Sequence, residues 1–190
     1  HPALTLSFSR QERDGISRVL NTDFPVMTSS MGRLFDAVAS LINLCHFNRY
    51  EGEAAIRLED LATGQYLDTN VYPFHIQKDK TGAHMMDWRP MIRAILEDMN
   101  QKQPVEHIAA RFHQTLIEMA CWVAKQERQN RVLLSGGSFQ NRILTEGITR
   151  RLTRDGFSVL SHHRLPPNDG GLSVGQIVAG CWYDKHVNDR

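Results

Sequence analysis

Leu134-Ser135-Gly136-Gly137-Ser138-Phe139-Gln140-Asn141 and, further on, Leu165-Pro166-Pro167-Asn168-Asp169-Gly170-Gly171-Leu172 are the stretches on which the reading of this chain turns. Each joins an apolar, β-type segment to an amphipathic helix through a pair of glycines. Such a junction exposes backbone N–H groups and the positive end of a helix dipole to an anion. Two of them in one β-α-β-α unit predict a phosphate-bearing ligand. The unit is read as a strand over 131–134, a helix over about 138–154, a strand over 157–160 and a closing helix over about 171–183. Two short apolar strands separated by a helix imply a parallel pair with a right-handed crossover, and ligands of such sheets sit beyond the strands' carboxyl ends. Both glycine turns fall at that edge.

Upstream, Ser9-Arg10-Gln11-Glu12 has the form of a capping box, with Ile16, Val19 and Leu20 as the apolar stripe of a first helix. A second helix is expected over 32–43, burying Leu34, Val38 and Leu41 or Ile42, and a third over 53–62. These three form a helical N-terminal layer. After Gly64, residues 71–77 and 84–86 read as partner strands around an Asp79-Lys80-Thr81-Gly82 turn. Asp87 can cap a helix over 88–100, and Pro104 opens a longer one carrying Val105, Ile108, Phe112, Leu116, Met119 and Val123 at helical spacing. The expected organisation is one α/β domain or lobe over 1–190, with a helical and hairpin part (1–103) and a nucleotide-binding βαβα part (104–190).

Composition narrows the function. The chain has 190 residues and is 41% hydrophobic, enough for one sizeable core. Its 22 Lys and Arg against 21 Asp and Glu leave no electrostatic footprint for nucleic acid or anionic lipid. No apolar run approaches the ~20 residues of a membrane span. Cys45, Cys121 and Cys181 are far apart, which suits reduced, buried thiols and a cytoplasmic setting. His162 and His163, adjacent on a strand, point to opposite faces and are read as a solvated strand end rather than as ligands of one ion.

Further segments accompany the glycine turns: Thr28-Ser29-Ser30-Met31-Gly32-Arg33-Leu34-Phe35-Asp36-Ala37-Val38-Ala39 and Tyr50-Glu51-Gly52-Glu53-Ala54-Ala55. With SGGSFQN at 135–141 and PPNDGGLSVGQ at 166–176, they resemble the C-terminal part of the HypF family, the carbamoyltransferases of nickel–iron hydrogenase maturation. The resemblance covers roughly residues 28 to 185. It implies an actin-like, ribonuclease H-like (ASKHA) lobe, related to the enzymes that make threonylcarbamoyladenosine in tRNA and to O-carbamoyltransferases of antibiotic synthesis. It further implies carbamoyl phosphate and ATP as substrates, carbamoyl adenylate as intermediate, and the C-terminal cysteine of a HypE-like protein as acceptor. The family's His-x-x-x-His metal motif belongs upstream of the Gly32-Arg33-Leu34-Phe35 segment, so the chain is expected to be the second lobe, its N-terminal lobe being elsewhere in the enzyme.

By the same resemblance Gly136 and Gly137 admit a phosphate or ribose, and Asn141, in the first helical turn, hydrogen-bonds the nucleotide sugar. The plainer reading is a strand-to-helix turn with Asn141 merely exposed. Asp36 matches a nucleoside-contacting carboxylate, although Ala37 stands where the tRNA-modifying relatives have Lys; the alternative is a solvent-facing helix residue. Gly52 falls near a second ribose-contacting loop. Asp169 matches a carboxylate ligand to a divalent iron or zinc ion whose other ligands come from the first lobe, or else caps the helix after it. Three function classes compete: carbamoyl transfer by an enzyme of which this is one lobe, an actin-like phosphotransferase, and a non-catalytic docking fragment.

Overall fold

In the computed structural model, which describes residues 5, 8–22, 28–65, 70–127 and 129–187, the chain separates into two compact units, His1–Thr115 and Leu116–Arg190. The division falls inside the long helix that runs from Val105 to Gln126.

In the first unit, α1 (Arg10–Leu20) begins with the expected capping box: Glu12 N–H donates to Ser9 Oγ, and Ser9 N–H to the Glu12 carboxylate at 2.8 Å. Its apolar stripe departs from expectation. Ile16, Val19 and Leu20 are all exposed, and α1 buries no residue. Helical periodicity reports a face able to pack, not that a partner is present.

Helices α2 (Met31–Leu41) and α3 (Glu53–Ala62) pack against each other. α2 buries Leu34, Phe35, Val38 and Ala39, and Ile42 rather than Leu41 completes the face. α3 buries Ala54, Leu58 and Ala62. Gly52, at φ +78°, turns the chain into α3 in the left-handed region that a side chain would strain.

Strands β1 (His75–Lys78) and β2 (His84–Asp87) form an antiparallel hairpin pairing Ile76 with Met86. The Asp79 carboxylate closes its turn by accepting from the N–H groups of Thr81 and Ala83. α4 (Arg89–Asn100) follows, and Asp87 serves its first turn by accepting from Arg89 N–H at 3.0 Å.

The first part of α5 (Val105–Gln126) supplies Ile108, Ala109 and Phe112 to the core of this unit. Phe35 meets Phe112 edge-to-face at 5.1 Å. Each such ring contributes about 1.5–3 kcal/mol by burial. Tyr72, fully buried, donates its hydroxyl to Asp98 at 2.6 Å and lies 4.1 Å beneath the Arg111 guanidinium. Burial and the Asp98 carboxylate push its phenol well above the usual range.

The second unit opens on the rest of α5, where Leu116, Ile117, Met119 and Cys121 are buried and Trp122 is half-buried. β3 (Arg131–Leu134) then pairs with β4 (Ser158–Ser161) in parallel, Leu133 opposite Leu160, with α6 (Arg142–Arg154) as the crossover. β4 starts one residue later than read, because Phe157 N–H still closes the helix end on Leu152 O. α6 buries Leu144, Gly147, Ile148 and Leu152. Gly147 is the point of closest approach: a Cβ there would lie 2.3 Å from Ile117 Cδ1. Lys125–Asp155 and Glu118–Arg151 ion pairs flank this packing.

The closing α7 (Leu172–Val187) leaves Ile177, Val178 and Trp182 each at least 60% exposed. Cys181 on it is exposed, unlike buried Cys45 and Cys121, so the expectation of three buried thiols fails for that residue. No described helix is long and apolar enough to cross a membrane.

Candidate nucleotide and metal site

Both glycine turns lie at the carboxyl edge of the β3–β4 pair, and they are joined. Gly136 N–H donates to Pro167 O at 2.7 Å, and a Cβ at Gly137 would lie 3.8 Å from Asn168 Cβ. Gly136 has φ +105° and ψ 158°, a conformation essentially reserved for glycine. Its N–H is therefore committed to the neighbouring turn and not to a ligand. Gly137 opens a 3-10 turn, Gly137–Gln140, whose first N–H groups have no partner inside the turn. These are the groups that can meet an anion.

Asn141 is not in a first helical turn, nor exposed. The 3-10 turn displaces the start of α6 to Arg142, leaving Asn141 as its N-cap, 7% exposed, with Oδ1 accepting from Leu144 N–H at 2.9 Å. Any contact to a sugar would have to use what the cap leaves of this side chain. A nearby polar pair was not legible in the sequence: His162 Nε2 lies 3.0 Å from Ser135 Oγ, while His163 reaches Ser161. The two imidazoles thus diverge.

In the second turn the helix-cap reading of Asp169 is corrected. The cap is Asn168, whose Oδ1 accepts from Gly170 N–H at 3.1 Å at the head of a short 3-10 turn, Asp169–Gly171, leading into α7. Asn168 is extended, at φ −92° and ψ −169°, which lets its amide turn back on the turn that follows. Asp169 is exposed, and among the described residues its carboxylate has no hydrogen-bond or ion-pair partner. The described residues contain no cluster of three or more His, Cys, Asp or Glu able to hold a metal ion. Asp169 can supply one oxygen ligand.

Asp36 and Gly52 belong to the first unit. The Asp36 carboxylate is half-buried on α2, paired with Arg33 at 2.8 Å and accepting from Asn48 Nδ2 at 3.0 Å. It is neither a solvent-facing residue nor free. Gly52 is explained by its backbone, with its carbonyl accepting from Ile56 N–H.

Sequence reading missed Glu53 beside it. Only 1% exposed, Glu53 takes Arg49 at 2.9 Å, Arg57 at 2.7 Å and the Arg49 backbone N–H at 2.7 Å. Hydrogen bonds from Arg49 hold its carboxyl down to about 2. The signal was available: arginines stand four residues before and four after it.

Comparison with known proteins shows the family. Residues 3–176 match the family model described as "Carbamoyltransferase, Kae1-like Domain, second subdomain". The carbamoyltransferase HypF of Synechocystis sp. is 41% identical over 154 residues, 80% of this chain and 19% of the relative. The probable carbamoyltransferase HypF of Methanocaldococcus jannaschii is 33% identical over 157 residues, again 80% of this chain and 20% of the relative. Among solved structures, full-length HypF in its phosphate- and nucleotide-bound form superposes with a TM-score of 0.84 at 34% identity, covering 94% of this chain and 24% of that one. The HypF of T. kodakarensis gives 0.74 at 26%, covering 95% of this chain and 23% of that one. The chain spans about a fifth of the length of these sequence relatives. It belongs to the carbamoyltransferase family as a Kae1-like domain, second subdomain.

Proposed function

We propose that the chain is the nucleotide-contacting lobe of an enzyme that takes carbamoyl phosphate and ATP, passes through carbamoyl adenylate and carbamoylates the C-terminal cysteine of a HypE-like acceptor, for cyanide ligand synthesis in nickel–iron hydrogenase maturation. The observation that carries the reading is the pair of hydrogen-bonded glycine turns at the carboxyl edge of a parallel strand pair. A nucleotide-bound relative supports ATP as the ligand. The layering is read as actin-like, in a cytoplasmic enzyme.

In this reading the Gly136-Gly137 turn positions the phosphate or ribose, and Asn141 anchors both α6 and the sugar. Asp36 and the Gly52 loop contribute further nucleotide contacts in the intact enzyme. Asp169, an exposed carboxylate without a partner among the described residues, fits one position of a divalent iron or zinc ion. When bound, such an ion polarises a carbamoyl oxygen. The apolar residues that α7 leaves exposed suit burial against the first lobe of the same enzyme.

The test compares ATP cleavage dependent on carbamoyl phosphate by this chain alone and by the protein including its first lobe. Turnover is expected only from the latter, because a water-excluding cleft is what makes electrostatic stabilisation effective. Turnover by this chain alone would overturn the two-lobe requirement, and none from either would overturn carbamoyl transfer.

A further inference from the structure

The segment joining α2 to α3 is tied at both ends by side chains that the nucleotide reading does not use. Arg57, held by Glu53, donates to Leu44 O at 3.2 Å near its start. Glu53 receives the Arg49 N–H near its end. Between these ties sits Asn48, which faces two ways. Its Oδ1 accepts from Ala54 N–H at 3.1 Å, satisfying a first-turn donor of α3. Its Nδ2 donates to Asp36 Oδ1 at 3.0 Å. Asn48 is thus the side chain that couples the entry of α3 to the carboxylate on α2.

A carboxylate clamped between Arg33 on one oxygen and Asn48 on the other keeps one orientation. Arg33 lies on the same helix, three residues before Asp36, and follows it wherever it turns. Among the described residues, only Asn48 ties Asp36 to a segment outside α2. An exposed hydrogen bond of this kind adds little to stability. It does fix which lone pairs remain open, and recognition of a hydroxyl pair depends on that.

We propose that Asn48 is a positioning residue for nucleotide binding: it orients Asp36 and registers it to the Gly52 loop. This rests on Asp36 contacting the nucleotide. Asn48→Asp separates orientation from folding, because it retains an oxygen for Ala54 N–H but replaces the donor by a second carboxylate beside Asp36. One shared proton restores a donor between the two oxygens, so the defect should depend on pH.

The experiment is calorimetric titration of ATP into the full-length enzyme, at pH 8 and pH 5.5, beside thermal melts. We expect Asn48→Asp to weaken ATP binding about three- to tenfold at pH 8, the size of one lost hydrogen bond, with an unchanged melt and a smaller loss at pH 5.5. Asp36→Ala should weaken binding itself, and adding Asn48→Asp to it should change nothing more. If Asp36→Ala binds ATP like wild type, the nucleotide reading of Asp36 is wrong and the inference falls with it. If Asp36→Ala weakens binding but Asn48→Asp matches wild type at both pH values, the positioning role alone is refuted. Should Asn48→Asp lower the melt, Asn48→Ala, which removes the donor to Asp36 and adds no charge, is read by the same criteria at a temperature below its own melt.

Discussion

Neighbouring glycines with opposite roles give a sharp test of the turn at the edge of the β3–β4 pair. Gly136 has φ +105° and ψ 158°, so any side chain is strained there, although nothing lies within 4 Å of an added Cβ. Gly137 has no positive φ, and its Cβ would make only ordinary contact, 3.8 Å from Asn168 Cβ. Gly136→Ala should therefore cost about 1–3 kcal/mol of backbone strain. It should also loosen the Gly136–Pro167 hydrogen bond that joins the two turns. For a protein of this size that is a fall in melting temperature of roughly 2–12 °C. Gly137→Ala should stay within about 0.5 kcal/mol of wild type. Paired scanning calorimetry of the two variants decides. Equal melting temperatures, or a larger loss for Gly137→Ala, would refute the assignment of strain to Gly136.

Other expectations follow from the same geometry. Gly147→Ala should lower stability by about 1–3 kcal/mol, because a Cβ at 2.3 Å from Ile117 Cδ1 must displace that side chain; a melt at or above wild type, as expected if helix propensity governed the site, would contradict it. His113, fully buried against Phe35 and Phe112, is driven by desolvation down to about 4, so the unfolded chain binds the extra proton between pH 6.5 and 4. Its contribution is intact above pH 6.5 and is lost as pH falls toward 4, by roughly 3 kcal/mol in full; denaturant melts across that range should show a slope that His113→Gln flattens, and an equal slope in both would exclude His113 as its source. Asn141→Ala should cost about 0.5–2 kcal/mol through loss of the α6 cap, and an unchanged denaturation midpoint would mean that the cap is not used. Asp169→Ala in the full-length protein should lower iron or zinc content without lowering the melt, since Asn168 and not Asp169 caps the turn; unchanged metal stoichiometry would remove Asp169 from the site.

What the sequence disclosed was whatever local chemistry settles. Ser9 and Glu12 made their capping box, α3 ran from Glu53 to Ala62 as read, and the apolar segments at β3 and β4 paired in parallel around a helical crossover. Side-chain competition between neighbours was not legible. Asn168 and Asp169 are both good caps, and the chain uses Asn168, whose backbone is extended. The 3-10 turn at Gly137–Gln140, which moved Asn141 from helix to cap, has no periodicity of its own to betray it. The pairing of Glu53 with Arg49 and Arg57 follows from their four-residue spacing, but its burial depends on how α2 meets α3, which that spacing does not encode.

The central claim is that the joined glycine turns form a nucleotide-contacting edge in a carbamoyltransferase. Calorimetric titration of ATP into the full-length protein, wild type against Gly137→Val, tests it most directly. Gly137 has an unstrained backbone, and its Cβ position faces only Asn168 at an ordinary distance, so a branched side chain there should disturb an approaching ligand more than the fold. The account predicts binding weaker by about tenfold or more, with a melting temperature close to wild type. Wild-type affinity in a folded Gly137→Val protein would contradict it.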